Sequence, residues 1–306
     1  MKIIVMGTGG VGGYFGARLA NAGYDVSFIA RGEHLKAIKN NGLKIISELG
    51  DMIIHPAKAS DNPADFEIAD IVLFCVKSYD TESSSNLIKP IVGQNTAVIP
   101  FLNGIGHIEI MQKILGKNSV IGGVAAISAL ISEPGVIQHN SAMQMLKFGE
   151  FNNIISPRIK AFQEACEKSG INNNIPENIE CDIWQKIIMI CTLAGANCIT
   201  RLPLGVCRTN PATRNFMKNL AEEAVEIAKA ENIILPDNQV EITMKQLDSL
   251  PEAMKASTLP ALEKGEKLEA SALNGAISIL GNKHKINTPA HKAVYAALSP
   301  HENGLN

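Results

Sequence analysis

The sequence contains no C-x-x-C pair, and its six cysteines, Cys75, Cys166, Cys181, Cys191, Cys198 and Cys207, are scattered through apolar surroundings. That spacing offers neither a zinc site nor a disulfide framework. The seven histidines include no pair at metal-ligand spacing, so no metal is expected. No G-x-S-x-G and no Ser/His/Asp trio that spacing supports is present. Charge of one sign is also lacking. With 28 Lys and Arg against 30 Asp and Glu the net charge is −2, and nothing favours nucleic acid or an anionic membrane surface. The longest apolar run, Ile187–Ile199, falls short of a membrane span and carries Thr192 and Asn197. No basic-then-apolar leader is read before the first strand at Lys2. These absences point to a cytoplasmic protein with reduced thiols, without nucleic-acid or membrane partners.

What is there begins at the N-terminus. Lys2-Ile3-Ile4-Val5-Met6 has the length and β-branching of a buried strand. Gly7-Thr8-Gly9-Gly10-Val11-Gly12 follows and matches G-x-G-x-x-G. Tyr14 to Asn21 reads as helix, and Asp25–Ala30 as a second strand. Strand, glycine turn, helix and strand together are the setting of a dinucleotide site. Gly7 permits the tight turn, Gly9 lets the backbone approach a pyrophosphate, and Gly12 lets helix pack on strand. A methyltransferase carries its cofactor on a similar sheet and is the rival reading. The second strand ends in Ala30-Arg31, without the carboxylate that accepts from the ribose of NAD. A guanidinium there binds a 2′-phosphate through a charge-assisted fork, which favours NADP. Against this stands a solvated loop arginine with Glu33 beside it.

A length of 306 residues is enough for two domains. Glu33–Asn41 reads as helix, and Leu43–Ile46 with Met52–His55 as a hairpin inserted in the sheet. Ile71–Val76 is an unbroken apolar run, hence a central parallel strand, and Thr96–Phe101 is the next. Thr81–Ile91, Ile108–Leu115 and Ser156–Ser169 read as helices. Val120–Ile131 reads as a strand, with Gly135–His139 and Gln144–Phe148 as two more at a mixed edge. From Pro176 onward no strand is expected. Helices are expected over 178–198, 211–231, 237–250, 268–283 and 289–298. The expected organisation is an α/β dinucleotide-binding domain, 1–173, and an all-α domain, 174–306. A cleft between two such domains is a favoured site for small molecules.

Lys77 and Asn103 stand at carboxyl ends of strands, where open α/β sheets bind ligands, although either can be an ordinary loop residue. Lys186 lies on an otherwise apolar helix beside the only tryptophan, Trp184. It is either a snorkelling lysine or a partly desolvated general acid. In carbonyl reduction such an ammonium stabilises the oxygen that gains charge and protonates it. Glu269 reads as the first turn of a helix, where the helix dipole alone accounts for a carboxylate. Ser257 and Thr258 suit either a helix cap or a substrate carboxylate.

These pieces, in this order, resemble ketopantoate reductase (2-dehydropantoate 2-reductase) over essentially the full length. The matching segments are Gly7–Gly12, Arg31, Val76-Lys77, Leu102-Asn103-Gly104, Pro134-Gly135-Val136, Trp184-Gln185-Lys186, Lys255-Ala256-Ser257, Leu268-Glu269 and Leu273-Asn274-Gly275. The resemblance implies a Rossmann domain followed by a helical domain like that of 6-phosphogluconate dehydrogenase. It implies NADPH-dependent reduction of ketopantoate to pantoate, a step toward coenzyme A. By the same resemblance Lys186 is the catalytic acid and Asn103 positions it and the substrate. Arg31 and Lys77 contact NADP with the turn residues Gly7, Thr8, Gly9, Gly10, Val11 and Gly12. Ser257 touches substrate, and Glu269 lies near the nicotinamide ribose and substrate.

One departure bears on the substrate. The family's lysine helix carries asparagines four and eight residues after the lysine, on its face. Here those positions are Ile190 and Ala194, and Asn197 and Thr200 fall off that face. The alternatives are a reductase of another 2-oxo or 3-oxo acid, an opine-type dehydrogenase, or a non-catalytic NADP(H)-binding protein. The apolar helices of the second domain leave a homodimer open.

Overall fold

The computed structural model describes residues 1–305 and divides into two compact units. The first holds Met1–Leu102 and His107–Ile179, and the second holds Asn103–Gly106 and Glu180 onward. In the first unit β1 (Lys2–Met6), α1 (Gly10–Asn21), β2 (Asp25–Ile29) and α2 (Gly32–Asn41) open the chain. There follow β3 (Leu43–Ser47), β4 (Met52–Ile54), β5 (Lys58–Ser60), β6 (Ala69–Phe74), α3 (Thr81–Leu87), β7 (Val92–Pro100) and α4 (His107–Leu115). Last come β8 (Gly122–Glu133), β9 (Val136–Gly149), α5 (Pro157–Lys168) and β10 (Asn172–Asn174).

A five-stranded parallel sheet runs in the order β5-β2-β1-β6-β7. The apolar runs are continuous because both faces are covered. Ile3, Val5, Ile71 and Leu73 point into one core, and Ile4, Met6, Val72 and Phe74 into the other. That is the period-2 alternation of a pleated strand. The strand order reverses beside β1, which places the ligand crevice beyond the carboxyl ends of β1 and β6.

The hairpin β3–β4 is not inserted in this sheet. It belongs to a second one, ordered β10-β9-β3-β4 with β8 against β9. The two strands expected over 135–148 are one 14-residue strand, β9, whose pairing with β8 shifts register past Ile127. α1 touches strands of both sheets, so it is buried nearly all round, from Gly12 to Ala17 and at Leu19. β10 straddles the expected boundary at 173/174 and pairs in parallel with β9, so the first unit runs on to Ile179.

The second unit contains α6 (Ile179–Thr200) from its second residue onward, α7 (Leu204–Thr209), α8 (Pro211–Ala230), α9 (Gln239–Ser249), α10 (Thr258–Glu263), α11 (Asn274–His284) and α12 (Pro289–Leu298). Among its described residues there is no strand. α6 is, by its 22 residues and hydropathy, long and apolar enough to cross a membrane, which the broken run Ile187–Ile199 does not suggest. Yet 67% of its apolar window is buried within the protein, as in the core helix of a globular domain. The helix expected from residue 268 begins only at Asn274. None of the six cysteines is joined in a disulfide. Burial pushes the thiols of Cys166 and Cys191 up, and that of Cys198 up to about 12, so these three are poor nucleophiles.

The start of α12 is held by charge and hydrogen bonding. The buried Glu223 carboxylate accepts from the backbone N–H of Ala290 at 2.8 Å and of His291 at 3.0 Å. His291 is fully buried; its Nδ1 accepts from the Asn274 amide at 3.1 Å, so its Nε2–H donates to the Leu220 carbonyl at 2.9 Å. Burial lowers its pKa from the ordinary 6.5 to about 4. An unfolded chain therefore takes up this proton first, and stability is lost as pH falls from the unfolded to the folded value. The expected loss from this one group is about 2–3 kcal/mol between about pH 7 and about pH 4.5. Urea unfolding across that range checks it, because His291→Gln should flatten this part of the profile.

Candidate functional site

The first unit carries a cradle at the carboxyl end of β1. Gly7 has φ +96°, and a Cβ there would lie 2.9 Å from the backbone of Cys75, just past β6. The glycine turn thus sits at the reversal of strand order. A Cβ on Gly12 would lie 2.3 Å from the Gly7 carbonyl and 2.8 Å from Val5, as close helix–strand packing requires. A Cβ on Gly10 would strike the Ala129 carbonyl of β8 at 2.1 Å, a constraint that comes from the second sheet. In front of Gly9 there is open space. Gly9 is the N-cap of α1, without a side-chain cap and without an acidic residue in the first turn. First-turn N–H groups and the helix dipole together suit a phosphate. The residues present fit a dinucleotide.

Thr8 ties this turn to β2, its N–H and Oγ1 both bonding the Ile29 carbonyl at 3.0 and 2.9 Å. Arg31 follows two residues later, exposed, as the N-cap of α2. Lys77 is exposed just past β6, capping the short turn Ser78–Asp80 through its backbone. His34 escaped the sequence reading, and it bonds the glycine turn directly, Nε2 to the Thr8 carbonyl at 2.8 Å. The available signal was a polar residue one turn before the buried Ile38, on the inner face of α2.

The second unit gathers the other candidates around α6. Lys186 is half-buried near its start, between buried Trp184 and buried Ile187. Gln185 anchors this stretch by donating to the Gln239 side chain at 2.9 Å. Asn103 does not belong to the sheet domain. Asn103–Gly106 folds with the second unit, where the Ile105 N–H donates to the Ala272 carbonyl at 3.2 Å. A Cβ on Gly104, at φ +93°, would lie 2.4 Å from that same carbonyl, so the segment is pressed on the Glu269–Asn274 stretch of chain. Asn274 in turn donates to the Cys191 carbonyl of α6 at 3.1 Å.

Glu269 is half-buried and precedes α11 rather than opening it. Its carbonyl closes a turn by accepting from Ala272 and Leu273. The helix-dipole account of its carboxylate therefore falls. Ser257 stands at the N-cap of α10, but its side chain makes no capping bond and is exposed. Asn197, fully buried, holds this segment by accepting from the Ala256 N–H at 2.9 Å and donating to the Leu202 carbonyl at 2.8 Å. It is committed to structure, as is Thr200, which bonds the Ala196 carbonyl at 2.7 Å. Ala194 is buried in the helical core, whereas Ile190 is half-buried one turn beyond Lys186. Among the described residues no cluster of His, Cys, Asp or Glu fits a metal.

The pattern of ketopantoate reductase PanE/ApbA matches residues 3–153, and that of its C-terminal domain matches residues 178–302. The uncharacterized oxidoreductase YkpB of Bacillus subtilis is 32% identical over 302 residues, covering 99% of each chain. The 2-dehydropantoate 2-reductase of Mesorhizobium japonicum is 29% identical, covering 97% of each. A PanE/ApbA family ketopantoate reductase from Ralstonia eutropha superposes with a TM-score of 0.90 at 28% identity, covering 99% of this chain and 98% of its own. With both domains matched in order, the chain belongs to the ketopantoate reductase family, oxidoreductases that act on CH–OH groups with a nicotinamide dinucleotide.

Proposed function

We propose that the protein reduces a 2-oxo acid to the 2-hydroxy acid with NADPH, with ketopantoate as the first substrate to test. The observation that carries this reading is Lys186, half-buried on apolar α6, with the Asn103, Ser257 and Glu269 segments tied to the same helical unit. When bound, the reduced nicotinamide supplies hydride to the carbonyl carbon. The Lys186 ammonium donates a hydrogen bond to the carbonyl oxygen, stabilises its growing negative charge and passes it the proton. Solvent then restores the lysine proton, so charge and atoms balance. Asn103 orients the ammonium and the substrate. The Ser257 hydroxyl, with no capping bond, is available to the substrate carboxylate. Glu269 holds the hydroxyl side of the substrate and the nicotinamide ribose. Gly7, Thr8, Gly9, Gly10, Val11 and Gly12 carry the pyrophosphate on the α1 N-terminus. Arg31 and Lys77 favour the 2′-phosphate over a bare ribose.

A second reading is favoured by Ile190. One turn from the lysine it offers a half-buried apolar surface where a hydroxylated substrate finds no partner. A site without polar anchors discriminates weakly against apolar side chains. A panel of 2-oxo acids assayed with NADPH separates the two. Ketopantoate ranks first under the first reading, and an acid with an unsubstituted branched alkyl chain under the second.

A further inference from the structure

We propose that His34 is a positioning residue of the dinucleotide site, setting the direction of the Thr8–Gly9 peptide through a bridge to the Pro134-Gly135-Val136 turn. The inference rests on the dinucleotide-binding reading of the glycine turn.

The two bonds from Thr8 to Ile29 hold the incoming side of that residue and leave its carbonyl undetermined. The carbonyl accepts from His34 Nε2 at 2.8 Å. In a planar trans peptide the C=O and the following N–H point opposite ways. Holding the Thr8 oxygen toward α2 therefore aims the Gly9 N–H away from it. Gly9 is the N-cap of α1 with no side-chain cap, and open space stands where a Cβ on it would be. A flipped peptide would put a carbonyl oxygen where a phosphate needs a donor.

The ring itself is fixed from the other side. The Gly135 N–H donates to His34 Nδ1 at 2.9 Å, so Nδ1 carries a lone pair and the proton is on Nε2. Burial lowers the pKa of His34 and keeps this neutral tautomer. Gly135 has φ +81°, its carbonyl accepts from the Lys44 N–H at 2.9 Å, and a Cβ there would lie 3.0 Å from Ala37 of α2. The Pro134-Gly135-Val136 motif thus presents one N–H that selects the tautomer, and the tautomer holds the glycine turn.

The test is NADPH binding by fluorescence titration on wild type, His34→Ala and His34→Gln, with KM, kcat and melting temperature for each. Losing the bond that orients the turn should weaken NADPH by about tenfold in His34→Ala. At saturating NADPH kcat should stay within about twofold, because binding and not the chemical step is affected. His34→Gln offers one amide donor and one acceptor and should recover most of the affinity. His34→Leu repeats the measurement if the alanine variant does not fold. Unchanged affinity in His34→Ala, or His34→Gln as weak as His34→Ala, overturns the inference. A wild type that binds no NADPH instead overturns the dinucleotide reading on which it rests.

Discussion

Replacing Lys186 by alanine is expected to lower kcat for 2-oxo acid reduction by about 1,000-fold, from lost proton donation and lost stabilisation of the developing alkoxide. NADPH affinity should change little, since the phosphates are assigned to the glycine turn, Arg31 and Lys77 and not to Lys186. The effect is large because Lys186 lies on a helix that is otherwise apolar for three turns beyond it, apart from the buried Thr192 and Asn197. Thr192 donates to the Ile188 carbonyl at 2.8 Å, and Asn197 is held by Ala256 and Leu202, so neither substitutes for the ammonium. Lys186→Arg should not rescue the rate. A guanidinium keeps the charge but is too weak an acid to give up its proton. Single-turnover kinetics at saturating NADPH separates the chemical step from binding. A loss of only a few-fold would remove Lys186 from the reaction.

The second large effect is on cofactor choice. Arg31→Asp is expected to lower the preference for NADPH over NADH by about 100-fold or more, because a charge-assisted fork is replaced by a repelling carboxylate. The substitution is a clean one. Arg31 caps α2 through its backbone alone, with no side-chain capping bond, and the residue is exposed. The fold should therefore be unaffected, and the ratio of kcat/KM with the two nucleotides reports the guanidinium directly. Arg31→Ala should fall between wild type and Arg31→Asp. A preference that survives Arg31→Asp would assign the 2′-phosphate to another cation, with Lys77 the first to test.

Much of the architecture was legible because parallel strands buried on both faces are written as unbroken apolar runs. Ile3–Met6 and Ile71–Phe74 are such runs, and both lie in the central sheet. The second sheet was not legible as a separate layer. Its defining contact pairs Lys44 with Val136, far along the chain, and no local period encodes that partnership. The six-residue helices α7 and α10 are too short to show a helical repeat. The late start of α11 has a similar cause. Ala270, Leu273, Asn274 and Ile277 are buried at helical spacing, yet Ala272 and Leu273 bond back to Glu269 in a turn.

The candidate site was legible in composition more than in placement. The glycines could be found by motif, and Gly7 and Gly12 meet the steric demands the motif implies. That Gly10 must clear the Ala129 carbonyl is a tertiary fact. Asn103 was expected with the sheet because it follows β7, but the Ile105 N–H and the carbonyl of Ala272 draw its segment into the helical unit. His34 was missed because its two partners, Thr8 and Gly135, come from distant parts of the first unit's sequence.

The most direct test is the initial rate of nicotinamide oxidation by the wild-type protein with ketopantoate, measured with NADPH and with NADH. Saturable turnover with NADPH is expected, and a kcat/KM with NADH lower by about tenfold or more. NADPH bound tightly but oxidised by neither ketopantoate nor any other 2-oxo acid would contradict a reductase built around Lys186.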